Sequence, residues 1–154
     1  MSLYHLQLCS LEHEFFAQIG SFSDGNSWNE LLSLIMFALP LALNTEAILH
    51  SNNVRDLEED KKSGIFTMAI YLGFSRSYIL YVFLLFVPYL MFLCMAIQQS
   101  VYYFLPLMTI FMAFDLEKDF RYRRLTLLPL KTAKLNLVFG LVYVLACFMK
   151  NTTN

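Results

Sequence analysis

The 154-residue chain is 58% hydrophobic, with 15 Phe, 9 Tyr and a mean hydropathy of +0.53, far from the make-up of a soluble domain. A formal net charge of −1 leaves no basic surface of the kind nucleic acid requires, so nucleic acid is excluded as a partner. Cys9, Cys94 and Cys147 have neither metal-ligand nor disulfide-framework spacing and read as buried apolar residues.

Residues 1–28 carry no basic stretch ahead of an apolar one, and Glu12, His13 and Glu14 interrupt the early hydrophobic residues, so no signal peptide is expected. Residues 15–19 read as a helix end and 20–26 as a loop rich in Gly, Ser and Asn. His5 and His13 have no partner cluster and read as surface histidines.

A first membrane span is expected over residues 30–50, matching the ~20 residues a hydrocarbon core requires, with a kink at Pro40. Its second half turns polar at Asn44, Thr45, Glu46 and His50. An ionisable side chain at that depth ordinarily faces a cavity, which makes Glu46, with His50 one turn on, a candidate cavity residue.

Residues 52–64 then form the densest charge cluster of the chain. In a helix, Asp56 and Asp60 are i and i+4 and share one face, so their repulsion calls for a cation. Arg55, Lys61 and Lys62 beside them suit a larger anion, and two carboxylates completed by water and phosphate oxygens are the usual setting for Mg²⁺. Glu46, His50, Asn53 and Asp60 fall within one arc of the extended helix, with Asp56 at its edge. The local pattern alone also fits a solvated helix end, with a snorkelling glutamate and a hydrogen-bonded interfacial histidine.

Gly64 is expected to end or bend this segment, and Gly73 to close an apolar helix over 66–72. Further spans are expected over 77–97, which is uncharged and contains Pro88, over 101–116 and over 133–149, with a turn at 98–100. Asp115 and Asp119 repeat the i, i+4 spacing and are read as part of a salt-bridged loop. The whole is an all-α, multi-span transmembrane helical bundle of about four spans. The loops after the first and third spans must share a side, and they hold every Lys and Arg except Lys150. That side is therefore expected to be cytoplasmic, with the 151–154 tail opposite.

Residues 40–50 (Pro-Leu-Ala-Leu-Asn-Thr-Glu-Ala-Ile-Leu-His), Ser51-Asn52-Asn53-Val54-Arg55-Asp56, Asp60, Gly64-Ile65-Phe66-Thr67-Met68-Ala69, Ser77-Tyr78-Ile79-Leu80-Tyr81 and Thr132-Ala133-Lys134-Leu135-Asn136-Leu137 carry a resemblance. Together they resemble the second aspartate-rich motif and following helices of the UbiA family of intramembrane prenyltransferases. The resemblance implies a partial UbiA domain over 30–150, a poorly matched segment over 1–29 and a tail over 151–154. It also implies Mg²⁺ as cofactor, held by Asp56 and Asp60 as metal-binding, catalytic residues, with Asn53, Arg55 and Lys61 on the substrate diphosphate. The implied partners are an isoprenyl diphosphate, geranylgeranyl above all, an aromatic or naphthoquinone-type acceptor as in menaquinone (vitamin K2) biosynthesis, and membrane lipid. The endoplasmic reticulum or Golgi is the implied location, a mitochondrial membrane the alternative. The family's first aspartate motif is not found in these residues, so the chain is expected to supply the C-terminal half of a bundle, with a full-length relative as partner. Two other readings stand beside this one: a catalytically inactive membrane protein that binds lipid or a full-length relative, and a small transporter.

Overall fold

The computed structural model describes residues 27–153, so the expectations for residues 1–26, including His5, Cys9 and His13, lie outside it. The chain divides into two compact units, Met1–Ala38 and Leu39–Asn154, and all packing described below lies within the second. Every regular element among the described residues is a helix: α1 (Ser27–Arg55), α2 (Leu57–Ser63), α3 (Met68–Gln98), a 3₁₀ segment (Val101–Thr109), α4 (Ile110–Arg121) and α5 (Leu128–Thr153). Among the described residues three stretches, Leu34–Arg55, Met68–Gln98 and Leu128–Thr152, are long and apolar enough to cross a membrane, as expected of an integral membrane protein.

The span expected over 101–116 is instead a composite, the 3₁₀ segment continuing into α4. Pro106 lacks the N–H an α-helix would use, and its ring crowds the carbonyl four residues back, so the chain winds more tightly through the aromatic run at Tyr102–Phe104. By rise per residue the composite is about 36 Å long. It packs against both α3 and α5. The expected loop holding Asp115 and Asp119 is also corrected, because α4 continues through both as far as Arg121. Opposite charges at i, i+3 (Asp115 and Lys118) and i, i+4 (Glu117 and Arg121) support the helix there.

Helices α1 and α3 run unbroken through Pro40 and Pro88. The break in α3 comes at Gly73, whose φ of 68° and ψ of 169° lie in a region essentially reserved for glycine. A short helical turn capped by the Thr67 hydroxyl on the Ile70 N–H thus ends at Gly73, as its sequence suggests, and a longer helix begins. Cys94 is an exposed free thiol rather than a buried one, and Cys147 is half-buried and free.

Lipid is as apolar as leucine, so aromatic contacts and interhelical hydrogen bonds must hold such helices together. Phe92, fully buried on α3, meets Phe139 and Tyr143 of α5 edge-on at 5.1 and 4.7 Å, and Phe139 meets Tyr89 at 5.4 Å. Phe120 stacks on Tyr81 at 4.8 Å. The Thr132 hydroxyl donates its single proton to the Leu128 carbonyl, so the Tyr81 hydroxyl donates to Thr132 Oγ1 at 2.8 Å. Tyr89 likewise donates to Thr109, whose own proton goes to the Pro106 carbonyl. Helix α1 is tied to α5 by Asn136 Nδ2 donating to Thr45 Oγ1 at 3.2 Å.

Candidate functional site at the charged end of the bundle

The bundle has two unlike ends. At one, Arg123 lies 4.2 Å over the Phe74 ring and Glu117 accepts a hydrogen bond from Tyr78, which brings the turn after α4 beside the start of α3. At the other, Lys150 donates to Gln99 at 3.3 Å. The basic loops therefore share an end, in accord with the charge pattern.

The α1–α2 junction also lies at the charged end, and it sets the spacing of the two aspartates. Asp56 has φ −92° and ψ 6°, slightly off helical geometry, yet its N–H still reaches the Asn52 carbonyl at 3.0 Å and its own carbonyl accepts from Asp60 N–H at 2.8 Å. The helical repeat is thus kept across the junction, and Asp56 and Asp60 stand i, i+4 on neighbouring turns. Helix α2 ends at Gly64 in the left-handed region, φ 69° and ψ 17°, where Ile65 N–H closes back on the Asp60 carbonyl at 3.0 Å. Glu58, Glu59 and Asp60 in its first turn and Lys61 and Lys62 in its last complement the helix dipole.

Arg55 grips the Asp56 carboxylate with two parallel bonds of 2.7 Å, Nε to Oδ1 and Nη2 to Oδ2. That guanidinium holds the Asp56 carboxyl below the usual carboxylate range, with burial opposing it weakly. Both side chains are more than a third exposed, so the pair adds little to stability and is open to exchange of partners. Asp60 and Asn53 are half-buried and Lys61 is exposed. Among the described residues the Asp60 carboxylate has no ion-pair partner.

Glu46 is exposed, whereas His50 is buried and donates from Nε2 to the Ser77 carbonyl at 3.0 Å, tying α1 to the charged end of α3. Asn44 is buried, with neither amide atom bonded to protein, and the Ser77 hydroxyl is likewise unpaired.

Among the described residues no three His, Cys, Asp or Glu side chains converge as a closed metal cage. The donors at Asn53, Asp56 and Asp60 do suit Mg²⁺ of the open kind, which takes one or two carboxylates and completes its shell with water and substrate phosphate. Asp56 already binds a cation in the form of the Arg55 guanidinium.

Asp115 and Asp119 are salt-bridged as expected, but the partner of Asp119 on α5 is one that sequence reasoning missed. Asp119 is buried and gripped by Lys131 across to α5, with Arg124 at 3.7 Å. The turn that positions Arg124 closes with Arg124 N–H on the Asp119 carbonyl and Arg123 N–H on that of Phe120, leaving Arg123 left-handed at φ 57°. The 12-residue separation of Asp119 and Lys131 carries no local signal.

The chain matches the UbiA prenyltransferase family over residues 13–125. It is 56% identical to UbiA prenyltransferase domain-containing protein 1 of Danio rerio over 110 residues, 71% of this chain and 33% of that protein. The protein of the same name from Homo sapiens is 56% identical over 110 residues, 71% of this chain and 32% of its own length. The Drosophila melanogaster homolog is 51% identical over 112 residues, 72% and 31% respectively. The chain thus spans about a third of the length of the curated relatives it matches.

Proposed function

Since the chain belongs to the UbiA prenyltransferase family, we propose that the junction of α1 and α2 is the diphosphate-binding part of an intramembrane aromatic prenyltransferase. The observation that carries this reading is the helical repeat held across Asp56, which sets Asp56 and Asp60 on neighbouring turns at the cation-rich end of the bundle. The donor is an isoprenyl diphosphate, geranylgeranyl diphosphate first. The acceptor is of naphthoquinone type, as in menaquinone formation, and the membrane is that of the endoplasmic reticulum or Golgi.

Asp56 and Asp60 would hold the metal, with Asn53 beside them. Arg55 and Lys61 would lie on phosphate oxygens, two of which the Arg55 guanidinium suits at once. When bound, Mg²⁺ supplies neutralisation of the charge that grows on the departing diphosphate. The bond between the allylic carbon and the diphosphate oxygen breaks with its electron pair on oxygen. The acceptor ring carbon supplies the pair for the new carbon–carbon bond, and a ring proton is released.

A second reading is a catalytically inactive membrane protein that binds lipid or pairs with a full-length relative. The two are separated by assaying Mg²⁺-dependent transfer in membranes that hold this chain together with the remainder of a full-length relative. Asp56→Asn and Asp60→Asn should each abolish transfer, and Asp119→Asn should leave it measurable. Full turnover in both of the first two variants would remove the site assignment. No turnover with the unaltered chain would favour the second reading.

A further inference from the structure

A cleft of about 250 Å³ opens between α4 and α5, lined by Met112, Asp115, Leu116, Asp119, Lys131 and Lys134. The α4 residues are spaced i, i+3, i+4 and i+7, so they form one stripe. Along it the lining passes from the apolar Met112 toward the charged turn at Asp119, so the cleft straddles the boundary between the apolar and charged parts of the bundle.

Its lining holds two carboxylates and two lysines, and Lys118 and Arg124 beside the carboxylates add two further cations. Asp115 has Lys118 at 3.7 Å, while buried Asp119 is satisfied by Lys131 and flanked by Arg124. Lys134, one turn beyond Lys131 on α5, faces the same cleft with no carboxylate partner among the described residues. Lys118, Arg124, Lys131 and Lys134 thus surround two carboxylates that are already taken. A metal ion would have to displace two cations from Asp119. An anion would meet Lys134 and the outer side of Lys131, the latter held in place beforehand by Asp119.

We propose that this cleft binds the phosphate of an anionic phospholipid, with Lys131 and Lys134 on the phosphate oxygens and the glycerol end against Met112 and Leu116. The apolar half of the lining selects a lipid over a free phosphate, which would leave that surface unused. The charge asymmetry of the chain places the cleft at the leaflet where anionic lipids concentrate. The site is separate from Asp56 and Asp60, and its fate does not depend on the prenyltransferase reading.

The test uses the full chain in phosphatidylcholine vesicles and spin-labelled phosphatidic acid or phosphatidylcholine. The readout is the motionally restricted lipid fraction in the electron spin resonance spectrum. Phosphatidic acid should be selected over phosphatidylcholine, and Lys134→Gln should lower that selectivity about fivefold, the effect expected of one surface cation. Lys134→Arg should restore it, which a merely structural loss would not do. Inorganic diphosphate, matched in ionic strength by chloride, should fail to displace the lipid. Equal association of both lipids, selectivity unchanged in Lys131→Gln/Lys134→Gln, or displacement by diphosphate but not by chloride would each overturn the proposal, the last by showing a site for soluble phosphate.

Discussion

The hydrogen bond between Tyr81 and Thr132 offers the sharpest check on how the bundle is held together. Both residues are buried, and the direction of the bond is fixed because Thr132 spends its one proton on the Leu128 carbonyl. Tyr81→Phe removes the donor and leaves an acceptor lone pair on a hydroxyl whose proton stays satisfied. Its cost should be about 0.6 kcal/mol, the average for such bonds between membrane helices. Thr132→Val keeps the shape but strands the Tyr81 O–H in an apolar interior, at a cost of roughly 1–3 kcal/mol. Once Phe replaces Tyr81 there is no donor left to strand, so the valine should then cost little. Unfolding of both single variants and the double variant in mixed micelles, followed by far-ultraviolet circular dichroism, gives the cycle. A Tyr81→Phe cost equal to or above that of Thr132→Val, or single costs that add in the double variant, would refute the assigned direction and the reasoning built on it.

Three further outcomes are expected. Arg55 lowers the Asp56 carboxyl, so the pair's contribution is complete above the ordinary aspartate pKa of about 3.9 and is lost as pH falls through the lower folded-state value. Carboxyl-carbon NMR should find that low midpoint and see it rise toward the ordinary range in Arg55→Gln. Ala at Gly73 meets no atom within 4 Å yet must adopt a glycine-only conformation, so Gly73→Ala should destabilise by roughly 1–3 kcal/mol in the micelle assay through backbone strain alone. Gly64→Ala, which needs only the milder left-handed conformation, should cost less, at about 1–2 kcal/mol.

The parts of this structure that local chemistry dictates were legible in the sequence. Gly64 and Gly73 mark turns because only glycine is at ease where they sit, and the Asp56–Asp60 spacing follows from a helix whose repeat survives the junction. Membrane segments follow from long apolar runs. Other features were not legible. The 3₁₀ winding before α4 depends on how Pro106 and the buried Tyr103 and Thr109 fit against α3 and α5, and hydropathy is blind to winding. The reading of Asp115 and Asp119 as part of a salt-bridged loop had the ion pairing right but not the helix, which the i, i+3 and i, i+4 spacing of the pairs favours. The grip of Lys131 on Asp119 and the burial of His50 beside an exposed Glu46 depend on which helices pack together and how each is rotated, and a single sequence leaves that rotation open.

The central claim is that Asp56 and Asp60 hold a divalent ion against an isoprenyl diphosphate. Mn²⁺ in place of Mg²⁺, added with geranylgeranyl thiolodiphosphate to membranes holding this chain and the remainder of a full-length relative, makes that contact visible as a manganese–phosphorus coupling in electron–nuclear double resonance. The coupling should be present with the unaltered chain, weaken or vanish in Asp56→Asn and Asp60→Asn, and persist in Asp119→Asn. A coupling unchanged in both Asp56→Asn and Asp60→Asn would contradict the assignment outright.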